Sequence, residues 1–205
     1  MSSPIPDVDY RKLGDIAVTE LGPAPTDRPP VVMVHGAITA PGVGSQCSAS
    51  SRPTPLADHC ARLNHGDSAA LPEQTWICCD ILTAACEDVG TVCAAVTREA
   101  DSRPILIGHR MADLPPSPVR RGHPAETAAL VLLAPVVPKT TFAPEPIERP
   151  TDPTRPADPH PSRVSRQLFF AQAIDEEAQR HFARLPPESP TAVWHTTRWT
   201  DAECV

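Results

Sequence analysis

The sequence predicts an α/β fold built on a mostly parallel sheet. Two observations carry this. Short apolar runs rich in β-branched residues recur along the first two thirds of the chain, at 15–22, 31–36, 103–108 and 128–135. Between the second and third runs lies a longer stretch whose apolar residues recur at helical spacing. Strands that alternate with helices are joined most simply as parallel neighbours.

Each element follows in order. DIAVTELG, 15–22, alternates well enough for a strand, and APTDRPP, 24–30, is a turn-rich break. VVMVHG, 31–36, is a continuous apolar run, as expected of a strand buried on both faces. QTWICCDIL, 74–82, is expected to be another strand. After it, Leu82, Cys86, Val89, Cys93 and Val96 stand at steps of four, three, four and three, which is one face of a helix. RPILIG, 103–108, and AALVLLAP, 128–135, are the next strands.

The chain then changes character. Residues 138–161 hold eight prolines in 24 positions and a near-repeat, Arg149-Pro-Thr-Asp-Pro and Arg155-Pro-Ala-Asp-Pro. Proline fixes φ and supplies no backbone donor, so this segment reads as an extended or disordered linker. Helical spacing returns at Val164, Leu168, Ala171, Ile174, Ala178, Phe182 and Leu185. The organisation expected is therefore a core over 1–137, a linker over 138–161 and helices over 162–205.

Composition narrows the function classes. The net charge of −7 disfavours nucleic acid as a partner. The first residues contain no apolar run of a signal peptide, and no stretch reaches the length of a membrane span, so a cytoplasmic protein is expected. Seven cysteines cannot all pair within one chain, and in a reducing compartment they are thiols. Proline makes up 27 of 205 residues, well above the usual proportion of about 5%.

These segments resemble, in order, the α/β-hydrolase family, most like its small esterase and haloperoxidase-type members. IAVTELG and RPPVVMVHG are similar to the family's opening hairpin and the strand ending in His35-Gly36. LNHGDSAAL, 63–71, looks like a worn form of its Gly-His-Gly-x-Ser loop, and RPILIGHRM stands where the nucleophile elbow belongs. The helices over 162–199 look like the start of a cap. The fold implied is a partial α/β-hydrolase sheet, mostly parallel, with an incomplete helical cap. The activity implied is serine-dependent hydrolysis of small ester-type substrates, without a cofactor.

That chemistry needs a serine on a strained strand-to-helix turn, two backbone N–H groups as an oxyanion hole, and an acid and a histidine later in the chain. The resemblance places the oxyanion donors at Ala37 and Met111. It places the nucleophile at Arg110, whose guanidinium stays protonated and only donates. Ala112 and Asp113 replace small residues after the elbow. Pro115, Pro116 and Pro118 follow, and each proline inside a helix costs about 3 kcal/mol. The segments that carry the acid and the histidine in the family are not recognised.

No other residue takes over these roles. Ser117 lies within the proline cluster; His109 is the residue before the nucleophile position; His181 and His195 fall on cap-like helices; His35 shapes a loop in the family; Asp201 and Glu203 have no assigned place. A zinc site from Cys60, His65, Cys78 and Cys79 is disfavoured. Adjacent cysteines on a strand point to opposite faces, and no C-x-x-C pair is present. The expected metal is none, and the glycines form no phosphate-binding loop.

Three readings stand at this point: a working esterase, an inactive relative that binds a small molecule or protein, and the damaged product of a truncated or frame-shifted gene. The last is motivated by family-like segments alternating with stretches rich in Arg, Pro, Ser and Cys, such as 45–62 and 114–124. Translating the coding DNA in its other frames tests it, because restored Gly-x-Ser-x-Gly near codon 110 is what it requires. An apolar strand at 128–135 without a further neighbour is an exposed edge, covered by the Pro-rich segment or by a homodimer.

Overall fold

The computed structural model describes residues 8–21, 28–36, 57–60, 67–70, 81–109, 126–133, 175–176 and 179. They form a six-stranded sheet and one long helix. The strands are β1 (Val8–Leu13), β2 (Ile16–Leu21), β3 (Val31–Val34), β4 (Ala57–Cys60), β5 (Ile105–His109) and β6 (Ala129–Leu133); the helix α1 is Ile81–Ala100. The order across the sheet is β1-β2-β4-β3-β5-β6. β1, β2 and β4 pair antiparallel, while β4, β3, β5 and β6 run parallel.

The hairpin β1–β2 closes through Gly14 and Asp15. Gly14 has φ +60, and Asp15 is not among the positive-φ residues. That is the pattern of a type II′ turn, whose twist matches the strands it joins. A Cβ at Gly14 meets nothing within 4 Å, so glycine is required here by conformation and not by space.

Helix α1 covers one face of the sheet. Val89, Val92, Cys93 and Val96 pack against Ile16, Val18, Val32, Val34 and Leu106, with Leu13, Cys86 and Leu130 partly buried around them. Burying each such aliphatic side chain contributes about 1.5–3 kcal/mol. The helix ends at Asp101, which takes the left-handed conformation (φ 48) that usually falls to glycine. Inside the helix, the Thr91 and Thr97 hydroxyls donate to the carbonyls of Glu87 and Cys93, at 2.9 and 2.8 Å.

Three expectations from the sequence are corrected. The strand expected over 74–82 overlaps the helical stripe at Leu82; the structure resolves this for the helix, which begins at Ile81 and includes Leu82. β3 is not buried on both faces. Burial alternates along β3, as it does along β5: Val32, Val34, Leu106 and Gly108 are buried, while Val31, Met33, Ile105, Ile107 and His109 on the other face are only half-buried. Finally, residues 57–60, for which the sequence suggests no element, form β4, inserted between β2 and β3. The strand QTWICCD and the linker over 138–161 lie outside the described residues, as do the cap-like helices apart from Asp175, Glu176 and Gln179, which are helical and exposed.

Candidate functional site

The strand order locates the site before any side chain is considered. From β3 the chain moves to β4 on one side. From β5, on the other side of β3, it moves to β6, further out in the opposite direction. Connections that leave two adjacent parallel strands in opposite directions open a crevice at their carboxyl ends, where open α/β sheets bind ligands. Here the switch point falls between β3 and β5, beyond Val34 and Gly108, which pair with one another.

Both strands run into a histidine. His35 follows β3 and is buried; its Nδ1–H donates to the Gly36 carbonyl at 2.9 Å. A carbonyl only accepts, so this bond fixes the proton on Nδ1 and orients the ring. It holds the turn in which the chain leaves β3. His109 is the last residue of β5, half-buried, in register with Leu133 on β6. Ala37 directly follows His35-Gly36 in the chain, and Arg110 and Met111 directly follow His109; these three positions lie outside the described residues. So do Ser117, His65, Cys78, Cys79, His181, His195, Asp201 and Glu203.

The worn glycine-rich loop has a definite place. Beyond Cys60, where β4 stops, residues 67–70 take over the side of β2. The Ala17 N–H donates to the Ser68 hydroxyl at 2.9 Å, and the Ala69 N–H donates to the Asp15 carbonyl at 2.8 Å. Ser68 therefore completes the hydrogen bonding of a strand that β4 is too short to cover. It continues the β4 position of the sheet, one strand from β3. Nothing in the residue pattern around Ser68 distinguished this role from a catalytic one; the length of β4 decides it.

Among the described residues, no group of three or more His, Cys, Asp and Glu is arranged to hold a metal. Cys60 lies on β4, and Cys86 and Cys93 lie on α1 outside any disulfide, the second of them fully buried. Among the described residues no helix is long and apolar enough to cross a membrane.

An antiparallel hairpin leading into a parallel sheet, with a switch point between β3 and β5, defines an α/β protein with an open, mostly parallel sheet. Comparison with solved structures narrows this to the α/β-hydrolase fold. The chain is similar to an N-acyl homoserine lactonase (12% identity, TM-score 0.58, covering 91% of this chain and 66% of that one). It is similar to the thioesterase domain from the curacin biosynthetic pathway (16% identity, TM-score 0.58, 87% and 65%). It also resembles a proline iminopeptidase-related protein from Thermus thermophilus (19% identity, TM-score 0.51, 64% and 45%). The chain thus spans between 45% and 66% of the length of these structures. No family model matches the sequence, and no curated protein does.

Proposed function

We propose that this chain derives from serine hydrolases acting on small ester-type substrates and that its own turnover is absent or very low. One observation carries the reading. β5 ends at His109 beside the switch-point crevice, and the next residue in the chain, at the position of the nucleophile, is Arg110. A guanidinium has no lone pair to offer a carbonyl carbon and cannot be deprotonated by a neighbouring base. Hydrolysis of an aryl acetate or butyrate by the purified chain tests this. The expected rate is at the level of the buffer, and Arg110→Ser alone gives no large gain. Turnover well above background in the unaltered chain overturns the reading; a large gain in the variant means that a working acid and base are present.

A second reading uses the same crevice without chemistry. The switch-point geometry is retained although the nucleophile is not, so the chain is suited to holding a small molecule. Retention of binding by an inactive chain, read as a ligand-dependent rise in melting temperature, favours it. A cytoplasmic location accords with either reading.

A further inference from the structure

The two edges of the sheet are built differently. β1 at one edge carries Asp9, Arg11 and Lys12, and Arg11 is paired with Glu20 and with Glu99 on α1. Charges of this kind keep an edge strand from pairing with another chain. β6 at the other edge reads Ala-Leu-Val-Leu-Leu, with no charge and no proline. Val131, Leu132 and Leu133 are 39%, 40% and 44% exposed, and among the described residues no strand pairs with the outer side of β6.

We propose that β6 pairs antiparallel with β6 of a second copy of this chain, about a two-fold axis at Val131. The register follows from the hydrogen bonds. Ile105 donates its N–H to the Pro30 carbonyl at 2.8 Å and so faces β3, which turns its neighbour Leu106 towards β6, where it pairs with Leu130. In a parallel pair only one of the two partners bonds across, and successive residues of a strand turn their polar groups to alternate sides. Ala129, Val131 and Leu133 therefore face β5, while Leu130 and Leu132 present N–H and C=O outward.

A two-fold at Val131 sets Val131 opposite its own copy and Ala129 opposite the partner's Leu133. The two Leu130–Leu132 pairs flanking the axis join outward-facing residues, giving two hydrogen bonds per pair. Leu130 falls opposite the partner's Leu132, so the apolar side chains of each face meet apolar side chains. A strand of five residues is short, roughly 17 Å, and buries less than the ~1,200 Å² of a stable interface. The dimer is accordingly weak and concentration-dependent. Its formation is independent of whether the chain turns over an ester.

Sedimentation equilibrium of the full chain over a concentration series tests it. The expected mass rises with concentration from 22.0 kDa towards twice that value. Leu132→Pro removes an outward N–H while sparing the bonds to β5. It is expected to weaken association by roughly tenfold or more, with unchanged circular dichroism. Should that variant fail to fold, Val131→Cys gives a second readout. Antiparallel partners that are not hydrogen-bonded to one another have Cα atoms about 4.5 Å apart, within disulfide range. Mild oxidation should therefore yield a peptide cross-linked to itself through position 131. A monomer at every concentration, which includes the case of another segment of the chain covering β6, overturns the proposal. So does a dimer indifferent to Leu132→Pro in a folded variant, or the absence of the 131–131 cross-link under conditions where dimer is present.

Discussion

Val34 on β3 pairs in parallel with Gly108 on β5, and the chain leaves the two strands through His35 and His109. The site is thus framed by backbone pairing first and by side chains second. His35 carries a structural part of it. Its Nδ1–H bond to Gly36 is made in a buried position.

His35→Ala should therefore lower stability by about 1–3 kcal/mol, because a buried acceptor loses its donor and a cavity opens. His35→Asn, whose amide can donate from nearly the same place, should recover part of the loss. A urea titration followed by circular dichroism reads both; equal losses for the two variants would refute the assigned role of the Nδ1 proton.

Ser68 is expected to behave as a structural residue. Ser68→Ala removes the acceptor of the Ala17 N–H and should cost about 1 kcal/mol. Any ester turnover found in the chain should be unaffected by it beyond the loss of folded protein. A selective loss of turnover with stability intact would make Ser68 a reacting group and would displace the structural assignment.

Gly14→Ala should destabilise by about 1–2 kcal/mol, since φ +60 is strained for a residue with a Cβ. Gly14→Asn should cost less, because asparagine enters this region more readily. The order of the two midpoints in urea checks the turn assignment independently of any contact.

Two substitutions on α1 should stabilise. A Cβ at Gly90 meets only the Glu126 carboxylate oxygen, at 3.9 Å, so alanine fits and gains about 0.5–1 kcal/mol of helix propensity. Asp101→Gly relieves a left-handed aspartate and removes a negative charge from the helix C-terminus, for about 1 kcal/mol. The positions lie about 16 Å apart along the helix, so the gains should add. Thermal melts of the two single variants and the double variant measure this.

Arg11 bridges the hairpin and the helix through Glu20 and Glu99, the latter at 2.7 Å. These groups are partly exposed, so Arg11→Met should cost no more than about 1 kcal/mol, and the cost should shrink in high salt. A loss that is large and independent of salt would mean that the aliphatic stem, not the charge, carries the effect.

Much of the fold was legible locally. The alternation of β2, the apolar runs of β3, β5 and β6, and the stripe Cys86, Val89, Cys93 and Val96 each follow from side-chain period, which a linear sequence displays directly. His109-Arg110 at the end of β5 was legible too, because it depends only on chain position. β4 was not. Ala57-Asp-His-Cys has no apolar run and no period, and it is a strand because β2 and β3 offer it hydrogen-bonding partners on both sides. The same applies to Ser68, whose role arises from the residues at which β4 stops. By itself, then, the sequence determined where chain segments can be strand or helix and which residue follows β5. The tertiary structure decided which strands are neighbours, which face α1 covers and where the switch point falls. The physical reason is that period is a property of nearby residues, whereas pairing and burial are settled between segments far apart in the chain.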